Sequence, residues 1–127
     1  MPFVQIHLAK HFTDAVKKQI SLTVHECLIE HFKIPADDYF HVVHALAPGH
    51  ILYPDSYMGI PHTNNLLYIH ITARSGRTPE TKRALYRAIA TKIAERMPIS
   101  IDDVIIILAE NTSENWSFGR GEAQMIS

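Results

Sequence analysis

Hydrophobic positions along this chain change their period from segment to segment, and each change marks an element. Val4, Ile6 and Leu8 alternate with Gln5 and His7, the two-residue rhythm of a strand with one buried face. Val16, Ile20, Val24, Leu28 and Phe32 then recur every four residues behind Thr13, which predicts an amphipathic helix with a threonine N-cap. Pro35 closes that helix, and Tyr39 to Leu46 reads as a second strand. The cycle restarts at Leu67-Tyr68-Ile69-His70. Thr78 caps the next helix, Pro79 takes its first position, and Leu85, Ile89, Ile93 and Met97 form the stripe. Val104 to Leu108 is an unbroken apolar run, the pattern of a strand covered on both faces.

The two halves are copies of one unit. Val4-Gln5-Ile6-His7 matches Leu67-Tyr68-Ile69-His70 at an offset of 63 residues. From Thr13 and Thr78 onward the offset is 65, and it holds as far as Asp37-Asp38 against Asp102-Asp103. The second copy therefore carries two extra residues around Arg74-Ser75-Gly76-Arg77. Copy one covers about residues 2–47, copy two about 66–110 and a tail 111–127, the whole of 1–127 reading as a single domain.

A strand-helix-strand unit of this length makes a parallel pair with a right-handed crossover. Two units predict an α/β fold (α+β by some schemes): a tandem β-α-β repeat giving a four-stranded sheet with two helices on one face. Nothing in the chain is left to cover the other face, so an oligomer is expected. Pro48 to Asn65, between the copies, is long for a loop and is expected to carry a short hairpin or to contribute to a site.

Composition narrows the function classes. A formal net charge of −1 argues against proteins that hold nucleic acid or membrane surfaces through a basic field. The single Cys27 excludes an intramolecular disulfide and suits a reducing cytosol, and no apolar run is long enough to span a bilayer. A cytoplasmic protein is expected. Nine histidines raise the question of metal, but His41 and His44 fall on opposite faces of a strand. His25 and His31 lack chelating helical spacing, so no metal site is predicted. Gly119-Arg120-Gly121 is too short for a phosphate loop.

Pro2 is the first candidate for chemistry. If Met1 is removed, its nitrogen becomes a secondary amine that can act as base, acid or nucleophile near neutral pH. Arg74 and Arg77 lie in the insertion of copy two, where two guanidinium forks could grip a carboxylate, or simply face solvent. Asp38 and its repeat mate Asp103 read equally as turn residues at strand starts. Trp116 and Phe118 could wall a site or plug the sheet.

A short chain with two β-α-β copies and a penultimate proline resembles the tautomerase superfamily. Glu110-Asn111 followed by Trp116-Ser117-Phe118-Gly119-Arg120-Gly121 is similar to the tail of its malonate semialdehyde decarboxylase branch. Phe32-Lys33-Ile34-Pro35-Ala36-Asp37-Asp38, Val42-Val43-His44 and Pro48-Gly49 fit the same branch. That resemblance covers nearly the whole chain and implies a homotrimer, no cofactor and a small oxo-acid substrate. It implies catalytic roles for Pro2, Asp38 (rather than Asp37), Arg74 and Arg77, with Arg74, Arg77, Trp116 and Phe118 against the substrate. The Arg-Ser-Gly-Arg spacing departs from the decarboxylase, whose arginines are one residue apart, and resembles the cis-3-chloroacrylic acid dehalogenase branch. That branch uses a tail glutamate with no clear equivalent beside Trp116.

These residues suit three reactions. A neutral Pro2 nitrogen shuttles a proton between carbon and oxygen, a protonated one stabilises the enolate left by loss of carbon dioxide, and Asp38 could activate water. The resemblance also leaves open a trimeric binding protein without catalysis.

Overall fold

The computed structural model describes residues 1–126. Its frame is a mixed sheet of four strands: β1 (Phe3–Ala9), β2 (His41–Leu46), β5 (Leu67–Arg74) and β6 (Val104–Asn111), in the order β2-β1-β5-β6. β1 pairs parallel with β2, β5 pairs parallel with β6, and the inner strands run antiparallel. Each repeat thus contributes one inner and one outer strand, and a pseudo-twofold axis passes between β1 and β5.

Helices α1 (Asp14–Phe32) and α2 (Pro79–Arg96) cross between the paired strands and lie on one face. Both open as the sequence predicts: the Thr13 and Thr78 hydroxyls accept from the amides of Val16 and Thr81. Lys33 ends α1 in the left-handed conformation (φ 58°) and turns the chain back toward the sheet. Ile20, Val24, Leu28, Leu85, Ile89 and Ile93 are fully buried against Val4, Ile6, Leu8, Leu67, Ile69 and Ile71.

Two expectations are revised. The second strand begins at His41, because the Tyr39 N–H is spent in the preceding turn on the Asp37 carbonyl (2.9 Å) while its hydroxyl bonds Ser21 on α1 (2.7 Å). β6 is not covered on both faces within the chain. Val104, Ile106 and Leu108 meet the core, whereas Ile107 on the opposite face is 45% exposed. The linker carries the expected hairpin, β3 (Ser56–Tyr57) with β4 (Ile60–Pro61). Met58 and Gly59 both have positive φ at its turn, as a tight two-residue connection requires. No helix is long and apolar enough to cross a membrane among the described residues.

Candidate active site

Beside the start of β1 lies a cavity of about 480 Å³, lined by the chain's first residue, by the segment after α1, by the end of β5 and by the tail. Lys33, Ile34, Pro35, Asp37, Asp38 and Phe40 form one wall. They reach it because the αL turn at Lys33 is followed by a tight turn, with Asp38 N–H donating to the Pro35 carbonyl (3.1 Å) and Tyr39 N–H to that of Asp37 (2.9 Å).

Asp38 meets the amino terminus directly, its Oδ2 accepting from the Met1 ammonium. Its Oδ1 is buried without a partner among the described residues. Between the two candidate aspartates the geometry therefore distinguishes clearly: Asp37 lines the cavity, and Asp38 touches the amine. Pro2 is buried directly behind Met1, at the mouth of β1. Its nitrogen lies within about 3.6 Å of the Met1 nitrogen, the reach of one residue of backbone.

Arg74 ends β5 and faces the cavity from an exposed position. Arg77 also lines it, but its guanidinium is partly committed. It donates to the carbonyls of Arg74 (2.9 Å) and Phe32 (3.2 Å) and stacks over the Phe32 ring at 4.5 Å. The two forks are thus not equivalent: among the described residues the Arg74 guanidinium has no hydrogen-bond partner, while Arg77 joins the β5–α2 loop to the end of α1 and keeps spare N–H groups for a ligand.

The tail closes the remaining side. Phe118 lines the cavity and meets Phe40 with ring centroids 5.7 Å apart. Trp116 does not line it. Its ring stacks on Phe118 at 5.5 Å, and its Nε1–H donates to Asn111 Oδ1 (2.6 Å). Asn111 also accepts from the Ser75 amide through its carbonyl (2.8 Å), so one residue ties the tail to the arginine loop. Gln124 latches the tail to itself, accepting from Phe118 N–H and donating to the Gly119 carbonyl. Phe40, Lys33 and Met125 are cavity residues that sequence reading did not single out. Lys33 stood in the Phe32–Asp38 motif and Phe40 in the expected second strand, but Met125 had no signal at all.

The electrostatics are mixed. Burial, then Arg77 and Arg74, lower the amino-terminal pKa from 8.0 to about 6. The Asp38 carboxylate pulls in the opposite sense, since contact with a negative charge favours the ammonium. The net direction is downward, because two cations and a low-dielectric wall outweigh one carboxylate.

Comparison with known proteins places this geometry. A family profile described as tautomerase enzyme matches residues 38–119, and a second with the same description matches 2–59. The chain belongs to the tautomerase family. It is 43% identical to the probable tautomerase YusQ of Bacillus subtilis (strain 168) over 126 residues, 99% of each chain. It is 30% identical to the probable tautomerase YrdN of the same organism, over 100% of this chain and 98% of that one. Its fold overlays FG41 malonate semialdehyde decarboxylase inhibited by 3-bromopropiolate with a TM-score of 0.91 at 32% identity, covering 98% of this chain and 94% of that one. Among tautomerases it is thus similar to the malonate semialdehyde decarboxylase branch. A fused 4-OT solved as a symmetric trimer, 16% identical with a TM-score of 0.80 over 98% of each chain, shares the fold.

Proposed function

We propose that this protein, with Met1 removed, uses the Pro2 amine on small oxo-carboxylates without a cofactor. The reaction is keto-enol tautomerisation, malonate semialdehyde-type decarboxylation, or both. One observation carries the reading: an amino terminus, a carboxylate and two guanidinium groups converge on a single cavity walled by aromatic rings.

Arg74 holds the substrate carboxylate, helped by the spare N–H groups of Arg77, and so presents the carbonyl end to Pro2. Phe118 and Phe40 exclude water there, with Trp116 acting behind Phe118, which strengthens every charge interaction inside. A neutral amine takes a proton from the carbon beside the carbonyl and returns it, with the double bond shifted. A protonated amine meets the carbonyl oxygen. The bond to the carboxylate carbon then breaks, its electron pair forms the enolate, carbon dioxide leaves, and a proton adds to carbon. Asp38 decides how much of each amine form is present.

The assembly is a cytoplasmic homotrimer whose subunits cover one another's open sheet faces, as in the trimeric fold relative. Proton NMR on material whose mass shows Met1 absent tests the reading, with phenylpyruvate and malonate semialdehyde as substrates. Pro2→Ala and Arg74→Ala should each slow turnover by about 100-fold or more while the fold persists. Equal rates in parent and both variants overturn the proposal.

A further inference from the structure

The internal repeat has a consequence at the other end of the sheet. A second cavity, about 200 Å³, lies where β1 and β2 end and β5 begins, lined by Lys10, His11, Leu46, Ala47, Tyr53 and Asn64 among others. The repeat relates part of its lining to the first. His11 stands 63 residues before Arg74, and Asn64 stands 63 after Met1. Asn65 corresponds likewise to Pro2, and Asp103 to Asp38. The pseudo-twofold axis that exchanges β1 with β5 therefore relates the two ends of the sheet at which the cavities lie.

The copies differ where proton transfer would need a free amine. In copy two the chain runs on through Asn64 and Asn65, so no amino terminus exists there. The aspartate is also occupied. Asp103 is 1% exposed and accepts from the amide of Thr63 (2.8 Å) and from its hydroxyl. What survives is the binding half of the site: a cation-bearing rim of Lys10 with His11, a phenol ring and an apolar floor of Leu46, Ala47 and Leu66. His11 is held in place by Asn65 Oδ1 at 2.8 Å.

We infer that this cavity is a second, non-catalytic binding site for a small monocarboxylate, with the carboxylate at Lys10 and His11 and the carbon chain on Leu46 and Ala47. The choice of ligand rests on the reading of the first cavity as a carboxylate site. Its smaller volume limits the ligand to a few carbon atoms, and affinity on the order of millimolar suits so few contacts.

Propionate is the probe, since it has the carboxylate and a short chain but no carbonyl to react. Titrated into the 15N-labelled protein, it should produce two saturable sets of amide shifts. One falls at Asp38, Phe40 and Phe118, the other at Lys10, Ala47 and Tyr53. Arg74→Ala should remove the first set alone. Lys10→Ala should weaken the second about threefold, and Ala47→Phe, which fills the cavity, should remove it. A first set without a second overturns this site, as does a second set that survives Ala47→Phe. A second set without a first supports this site and counts against the reading of the catalytic cavity. No saturable shift at either place overturns both.

Discussion

Asp38 and Asp103 began as the same residue of one repeated unit, and their present partners separate their roles. Asp103 is saturated by Thr63 and anchors the linker. Asp38 holds an ionisable amine and has one oxygen to spare. Removing that carboxylate takes away the group that favours the ammonium, so Asp38→Asn should lower the amine pKa further, readable by NMR titration of the labelled terminus. The pH profile of the parent separates the two chemistries. Burial and the arginines hold the terminal amine near 6, below its ordinary 8.0. With Met1 removed, as proposed, the same field would act on the secondary amine of Pro2, which is intrinsically more basic. Proton abstraction needs the neutral form, so tautomerisation should rise as pH climbs through the amine's pKa. Decarboxylation needs the ammonium and should fall over the same interval. Initial rates on both substrates from pH 5 to 9 check the two directions.

At the scale of elements, the turn that presents Asp38 is held from helix α1. His25 is buried, and its Nε2–H donates to the Ala36 carbonyl (2.8 Å) while its ring lies against Tyr39 at 4.5 Å. Ser21 bonds both the Tyr39 hydroxyl (2.7 Å) and His41 Nδ1 (2.9 Å). Burial, with His25 beside it, keeps His41 neutral by lowering its pKa to about 4. His25→Phe preserves the ring contact but strands the Ala36 carbonyl, at a cost of about 1 kcal/mol and a midpoint lower by about 4 °C. The turn then loosens, so kcat should fall about tenfold with KM little changed. His25→Gln, which restores a donor at similar reach, should recover most of the rate. Equal loss in the two variants would show that the ring, not the hydrogen bond, sets the turn. The helices and their caps were legible in the sequence because threonine, proline and a four-residue stripe act locally. This network was not, since it joins residues 11 to 20 apart through side chains that the periodicity treats as ordinary helix and strand positions.

At the scale of the molecule, the sheet is finished on one side only. The face away from the helices carries Val42 (40% exposed), Ile107 (45% exposed) and the stacked rings of His7 and His44. Burial and the neighbouring His44 and His70 hold the His7 pKa down, so His7 resists taking up charge as pH falls. A trimer joined through it should sediment at three times the single-chain 14.4 kDa, and Ile107→Lys should shift it to the single-chain mass by placing an ammonium in the joint. A parent that sediments as a monomer, or a variant that still sediments as a trimer, would refute that arrangement.

By itself the sequence determined the strands, the helices, their duplication and the family, because each rests on local periodicity or on motifs contiguous along the chain. It also nominated Pro2, Asp38, Arg74, Arg77 and Phe118 for one site; the last four line one cavity, and Pro2 follows Met1, which lines it too. The resemblance already pointed to Asp38 over Asp37, but only the tertiary structure put its carboxylate against the amine. It also showed that Arg77 is half spent on carbonyls, that Trp116 acts from behind Phe118, and that Met125 joins the lining. The Asp38 contact and the Arg77–Phe32 bond join residues 37 and 45 apart. Distances across a fold are set by packing, which no local pattern records.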